Sequence, residues 1–413
     1  MKTLILNSFD NQGGAAIATY RLHKGLASIS VDSQMLVQIG KSRDPRVITP
    51  LNRWQKVVAL LRPHLDELAT RFYAKKKPVL FSSAWVPDGI ASRVGELNPD
   101  IVHLFWVNAG FLRAETIRKL KRPIVWTLHD MWPFTGGCHY DEECGRFRQS
   151  CGQCPILGSK SEKDLSRRVW QRKKDAWSGT PIVVVATSRW LGEMAAASSL
   201  FANQRIEVIP NGIDTSVYKP ADKALARDTY NLPRDRQLIL FSAFDATSDK
   251  RKGSQYLLAA LKILVQQGWD KTAELVVIGA SSMDSGELGM DAHFIGNLHD
   301  EISQVLLYSA ADVVVAPSVQ ENLSNTVIES LACGTPVVAF DIGGMPDMID
   351  HKKSGYLAKP FEAEDLAEGI AWCLGDDARQ QELSACARQT VEDRYELSAV
   401  ASRYRDLYED ILK

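Results

Sequence analysis

VVVAPSVQENLSNTVIESLACGTPVVAF, residues 313–340, contains a complete structural sentence. Val313–Ala316 reads as a buried strand, Pro317–Leu323 as its loop, and Ser324–Cys333 as a helix with Ser324 at its N-cap. Gly334 and Pro336 end that helix, and Val337–Phe340 reads as a second strand. A strand, a crossover helix and a second buried strand form the repeating unit of a parallel sheet covered on both faces.

Working outward, the same rhythm fills the 413 residues. In the first half the strand-like runs are Leu4–Leu6, Met35–Gln38, Ile101–Phe105, Ile124–Leu128, Ile182–Ala186 and Ile206–Ile209. In the second they are Leu238–Phe241, Leu275–Ile278, Ala292–Ile295, Val313–Ala316 and Val337–Phe340. The expected class is therefore α/β, with two Rossmann-like doubly wound domains. The expected bounds are 1–214 and 215–394, with a final amphipathic segment, 395–413, able to pack on either domain. Two such sheets with facing strand ends would enclose a cleft, and ligand-binding motifs belong just after strands.

Composition narrows the function classes. Hydrophobic residues make up 45% and charged residues 24%, which excludes a disordered or fibrous chain. No run of 18 apolar residues occurs and the N-terminus enters a strand directly, so a cytoplasmic protein is expected. The net charge of −1 conceals an asymmetry: residues 1–189 hold 29 Lys+Arg against 16 Asp+Glu, net +13, and the remainder is net −14. A basic half suits an anionic ligand or surface, although the opposed charges could equally serve attraction between the halves. Nothing points to nucleic acid.

Glu321 and Glu329 bracket the helix start in the opening stretch. Eight helical residues turn through roughly 800°, so two helical glutamates would diverge. With Glu321 in the loop and Glu329 in the second turn, they can flank one ligand. The amides of Asn325 and Thr326 could then hold a diphosphate, with each carboxylate accepting hydroxyl hydrogen bonds at one end of a nucleotide sugar. The plainer alternative is a helix-dipole residue and a solvated one. Arg251 and Lys252, between the strand Leu238–Phe241 and the helix Tyr256–Val265, are placed to neutralise a diphosphate, or simply to be a solvated loop. Gly13-Gly14, between the first strand and a helix that Gly25 could end, would let backbone approach a phosphate, or serve only as a turn.

Taken together these motifs resemble retaining glycosyltransferases of family 4. Glu321…Glu329 is similar to that family's E-x7-E signature, and Ser-Leu-Ala-Cys-Gly-Thr-Pro-Val-Val-Ala to its continuation. Gly13-Gly14, Pro210-Asn-Gly-Ile-Asp214 and Lys252-Gly253 fall in matching order along nearly the whole chain. The resemblance implies a GT-B architecture with a central cleft, the acceptor mainly on the first domain, a nucleoside-diphosphate sugar on the second, and a C-terminal helix returning to the first. It also implies Lys252 and Arg251 on the donor diphosphate, Glu321 on the transferred sugar, Glu329 on the ribose, and Gly13 and Gly14 near the phosphates. Many members carry Gly-Arg where this chain has Ala243-Phe244, which weakens the assignment of the second cation.

His129-Asp130 follows the strand Ile124–Leu128. The resemblance places His129 near the donor sugar, with Asp130 orienting it or acting on acceptor protons; a purely structural pair is the alternative. No Asp-x-Asp occurs, so a catalytic metal held by paired carboxylates is not expected. Cys138, Cys144, Cys151 and Cys154, ending in a C-x2-C pair, suit a structural zinc, with disulfides or free thiols as alternatives. Similar cysteines occur in family members that resemble exopolysaccharide and colanic acid assembly enzymes. Cys333, Cys373 and Cys386 read as buried small hydrophobes. Two basic stretches with interleaved aromatics, Arg62–Lys77 and Lys160–Trp177, suit an anionic membrane surface and a glycan or lipid-diphosphate-linked acceptor, with a peripheral place on the inner face of the plasma membrane; a solvated helix face is the alternative for each. Competing functions are an epimerase or hydrolase on the same scaffold, and a non-catalytic nucleotide-sugar-binding protein. Donor sugar, nucleobase and linkage depend on loop shape and are not legible.

Overall fold

The computed structural model describes residues 1–50, 52–242, 250–279, 288–298 and 300–413. The chain divides into two units, Met1–Gly212 with Ser398–Lys413, and Ile213–Leu397.

The first unit is built on a seven-stranded sheet of β1 (Lys2–Phe9), β2 (Asp32–Ile39), β3 (Val47–Ile48), β4 (Ile101–Leu104), β5 (Ile124–Leu128), β6 (Ile182–Ala186) and β7 (Arg205–Val208). Its order is β3-β2-β1-β4-β5-β6-β7, and every pairing is parallel. Alternate residues of each strand supply opposite cores, as the two-residue strand period requires. Leu4, Leu6, Val102, Leu104 and Trp126 join one cluster, while Ile5, Met35, Ile101, Val125 and Val185 join the other.

The second core is completed by the helix Gly14–Ser28, which runs through Gly25 rather than ending there, and by the final helix Leu397–Leu412. That helix places Val400, Tyr404, Leu407 and Tyr408 against the sheet of the first unit. Its phenols are satisfied there: Tyr408 Oη lies 2.6 Å from His103 Nδ1, and Tyr404 Oη 3.0 Å from Thr127 Oγ1. Thr127 Oγ1 is also 2.8 Å from His103 Nε2, so a buried polar chain joins helix and sheet.

The second unit holds a six-stranded parallel sheet, β8 (Gln237–Ser242), β9 (Ala273–Ile278), β10 (Ala292–Gly296), β11 (Val313–Ala316), β12 (Val337–Phe340) and β13 (Gly355–Ala358). The order is β10-β9-β8-β11-β12-β13. Leu238, Leu240, Val314 and Val337 face one core and Ile239, Phe241, Val313 and Val338 the other. Order reverses between β1 and β4 in the first sheet and between β8 and β11 in the second, and the crevice at such a switch point is where open α/β sheets bind ligands. The two strands absent from the sequence reading, β3 and β13, are both at sheet edges.

Candidate functional site

In the second unit the switch point is lined by the predicted donor residues. After β8, Ala243–Asp249 lie outside the described residues, including the Ala243-Phe244 departure noted above. The chain then makes a 3-10 turn, Lys250–Lys252, and enters the helix Ser254–Gln266 through Gly253. Gly253 has φ +71°, and a Cβ there would stand 1.8 Å from the Pro317 carbonyl oxygen, so only glycine lets the two loops meet. Val319 N–H donates to the Arg251 carbonyl at 2.8 Å and locks that approach.

The contact delivers Lys252 to Glu321, with Nζ 2.8 Å from Oε2. Both side chains keep a solvent-facing edge, 32% for Lys252 and 13% for Glu321. The Glu321 backbone is held as tightly as its side chain. Its carbonyl accepts from Gly344 N–H at 3.2 Å, and Gly343, at φ +52°, leaves no room for a Cβ, which would lie 2.0 Å from that oxygen.

The following helix is Asn325–Ala332, with Ser324 at the N-cap in extended conformation but making no side-chain cap hydrogen bond. Its first-turn amides have no acceptor inside the helix. Asn325 and Thr326 are half-buried at that tip, whereas Asn322 and Ser324 are buried. Glu329, in the second turn, is only 5% exposed, so its solvated-surface alternative is excluded. Its Oε2 accepts from the Tyr308 hydroxyl at 3.0 Å. Burial first, and the neighbouring Glu329 second, push the Tyr308 phenol well above its usual range, so Tyr308 stays a neutral donor. Tyr308 had no motif to announce it; it is a buried aromatic in the helix Glu301–Ala310.

In the first unit, Gly13 is the N-cap of the helix Gly14–Ser28 at φ +86°, and both glycines are exposed, with nothing within 4 Å of a Cβ built on Gly13. His129 and Asp130 follow β5 but do different things. The His129 ring stacks on Phe105 at 5.8 Å between centroids. Burial lowers its pKa to about 4, against a smaller opposing pull from Asp130, so it is a neutral imidazole at pH 7.

Asp130 is oriented away from the role of orienting His129. Its Oδ2 accepts from His139 Nδ1 at 2.6 Å and from Trp106 Nε1 at 2.9 Å, and its Oδ1 from Trp132 N–H at 2.9 Å. His139 Nε2 is in turn 3.0 Å from Ser82 Oγ, and Ser82, Asp130 and His139 are all buried. Burial opposes the charge on Asp130, but His139 and these donors outweigh it and hold the carboxyl below its usual range. His139 and Trp106 escaped the sequence reading because they lie 9 and 24 positions from Asp130.

The second basic stretch departs from expectation. In the helix Leu165–Trp177, Trp170, Lys173 and Trp177 are buried rather than offered to a surface. Lys173 Nζ donates to the carbonyls of Trp132 and Thr135, lies 3.6 Å from the Trp132 ring centre, and is lowered by burial to a pKa of about 7. Nearby, Cys138, Cys144, Cys151 and Cys154 are free thiols whose pKa values burial raises, that of Cys151 to about 12. Among the described residues no group of three or more His, Cys, Asp and Glu is arranged to hold a metal ion, so the expected zinc gains no ligand set here. Of the other cysteines, Cys333 and Cys373 are buried as expected, but Cys386 is exposed on the helix Asp377–Arg394.

Comparison with known proteins follows the same division of the chain. Residues 12–217 match the family model described as Glycosyltransferase Family 4, and residues 236–376 the model described as Glycosyl transferases group 1. The D-inositol 3-phosphate glycosyltransferase of Thermobispora bispora is 30% identical over 338 residues, 76% of this chain and 71% of that protein. The N-acetyl-alpha-D-glucosaminyl L-malate synthase of Bacillus anthracis is 23% identical over 51% of this chain and 55% of its own. Among solved structures, the sucrose-phosphate synthase of Thermosynechococcus elongatus aligns with TM-score 0.67 at 21% identity, over 100% of this chain and 99% of that one. Anabaena HepE in complex with UDP-glucose aligns with TM-score 0.66 at 18% identity, over 99% of this chain and 100% of its own. Both share the GT-B fold of paired Rossmann-like domains. Two successive family models and a relative aligned over most of both chains lead to one conclusion: the protein belongs to the family 4, group 1 glycosyltransferases.

Proposed function

We propose that the protein is a retaining hexosyltransferase that moves a sugar from a nucleoside diphosphate to a glycan or lipid-diphosphate-linked acceptor in cell-surface polysaccharide synthesis. The observation that carries this reading is the Lys252–Glu321 pair, 2.8 Å apart and partly open to solvent, beside the tip of the helix Asn325–Ala332. A donor presents two chemistries side by side, an anionic diphosphate and a hydroxylated sugar. An ammonium next to a carboxylate meets both.

In the reaction the bond between the anomeric carbon and the phosphate oxygen breaks, and its electron pair leaves on the diphosphate. Lys252, Arg251 and the helix amides neutralise that charge, and the lack of any Asp-x-Asp favours this over a metal held by paired carboxylates. Glu321 orients the sugar, and the buried Glu329 reaches the ribose. On the first unit, the neutral His129 can share a hydrogen bond with a sugar hydroxyl, and the acceptor hydroxyl bonds to the anomeric carbon while its proton passes to the departing diphosphate. HepE, whose complex contains UDP-glucose, and the inositol-phosphate and malate enzymes named above support a sugar donor and a hydroxyl acceptor.

The test is calorimetric titration with UDP-, GDP- and ADP-sugars, followed by product analysis with and without acceptor. One nucleotide sugar should bind at a single site, and Lys252→Ala should weaken it about tenfold or more, the loss of one charge-assisted contact. Release of free sugar at the same rate without acceptor would establish the hydrolase reading instead. Unchanged affinity in Lys252→Ala would remove the pair from the donor site.

A further inference from the structure

The helix Arg53–Glu67 lies on the first unit inside out. At about 100° per residue, Trp54, Val57, Val58, Leu61 and Leu65 fall in one stripe about 100° wide, the kind of face that surface helices ordinarily turn to the core. Here the stripe faces solvent: Trp54 is 80% exposed, Leu61 53%, Val58 49%, Val57 42% and Leu65 40%. Just beyond the helix, Phe72 is 89% exposed.

Polar contacts, with the small buried Ala59, hold the inner face. Arg62 Nε donates to the Gly110 carbonyl at 2.7 Å and to Gln38 Oε1 at 3.2 Å. The buried Asp66 accepts from Ser83 Oγ through its carboxylate at 3.1 Å and its carbonyl at 2.8 Å. Gly110 makes the fit possible, since a Cβ there would lie 2.6 Å from the Arg62 carbonyl oxygen. The apolar stripe is therefore not a core face left uncovered by accident of packing: the helix has a separate, polar seat.

Leu60, 59% exposed, widens the apolar surface on one side of the stripe, and exposed cations border it there and beyond the helix. Arg53 and Lys56 stand on the helix, and Arg71 and Lys75 flank Phe72. In a two-fold pairing of copies through this face, each partner would bring the same cations to the same rim. An anionic lipid surface satisfies both features at once, because apolar side chains enter the acyl boundary while cations meet phosphates. No described helix is long and apolar enough to cross a membrane, so the element lies in the interface rather than spanning it.

We propose that the helix Arg53–Glu67, with Phe72, is a docking element for anionic phospholipid bilayers. It narrows the two basic stretches legible in the sequence to one, since Trp170, Lys173 and Trp177 of the other are buried. The inference stands independently of the sugar-transfer reading.

Flotation of the full chain with phosphatidylglycerol–phosphatidylcholine vesicles, and with phosphatidylcholine alone, tests it. The protein should float with the anionic vesicles and be released by salt. Trp54→Glu combined with Leu61→Glu should cut binding about tenfold or more, by removing buried apolar area and adding like charge, with the melting midpoint unchanged because both side chains are exposed. A second variant, Arg53→Gln with Lys56→Gln and Lys75→Gln, should weaken binding and flatten the salt dependence without touching the apolar stripe. Absence of binding to anionic vesicles, or full binding by both variants, would overturn the proposal. So would a dimer in sedimentation that Trp54→Glu dissociates while vesicles capture nothing.

Discussion

Two charged clusters stand at strand ends of this protein, and they spend their charge in opposite ways. Beyond β8 and β11, Lys252 and Glu321 pair with each other yet keep solvent-facing edges. Beyond β5, the Ser82–His139–Asp130 chain is the more enclosed of the two, the difference lying mainly in the cationic partner: the His139 side chain is 4% exposed against 32% for Lys252, and Asp130 is held by His139, Trp106 and Trp132. A half-open pair can exchange its partner for a ligand at small loss, because water already screens it. A buried pair cannot, because removing one member strands the other in a poor solvent for charge. The first cluster is thus suited to binding and the second to holding the loop after β5 in place for His129.

The largest effect expected from this contrast is on stability. His139→Ala should lower unfolding free energy by about 3 to 5 kcal/mol, the range for a buried pair broken on one side, and urea titration measures it. A loss below about 1 kcal/mol, typical of an exposed pair, would erase the distinction between the clusters. Next comes Glu321→Gln, which should reduce kcat/KM by about 100-fold, near 3 kcal/mol, while moving the urea midpoint little. If rate and stability fell together, Glu321 would belong with the structural cluster.

The third prediction has a graded effect and separates the units by pH. Burial lowers His23 and His129 to about 4 and holds His103 well below its usual range, and all three lie in the first unit. These are depressed histidines, so between the ordinary value of 6.5 and about 4 the unfolded chain binds protons that the folded chain refuses. Stability must then fall as pH drops through that window. Asp130 acts in the same direction at lower pH, since its depressed carboxyl stabilises the fold only while ionised. Eight of the ten tryptophans are in the first unit, so tryptophan fluorescence follows it selectively during heating. Its melting midpoint should decline steadily from pH 6.5 to 4; a flat profile would show that these histidines are not buried as described.

Much of the architecture was legible because buried parallel strands are unbroken apolar runs. Eleven such runs were found, and the two strands that were not, β3 and β13, are short edge strands buried by fewer neighbours. The placement of Lys252, the glycine beside it and Glu321 just beyond strands was legible as well, because each sits in a short local motif that follows an apolar run. The loop after β5 was not. His129-Asp130 looked like one pair, but a carboxylate with three donors is assigned by whichever loops return to it, and His139 and Trp106 arrive from elsewhere in the chain. Lys173 and Cys386 show the same limit in mirror image, a cation found buried and a cysteine found exposed.

By itself the sequence determined the alternation of strand and helix, the parallel sheets and the position of the family motifs, because side-chain periodicity and glycine placement are local properties. Only the tertiary structure decided which charges face solvent and which are consumed inside. Exposure is set by what packs over a residue from distant parts of the chain, so Trp54 and Trp170, both beside basic residues in helical stretches, could end one at the surface and the other in the core.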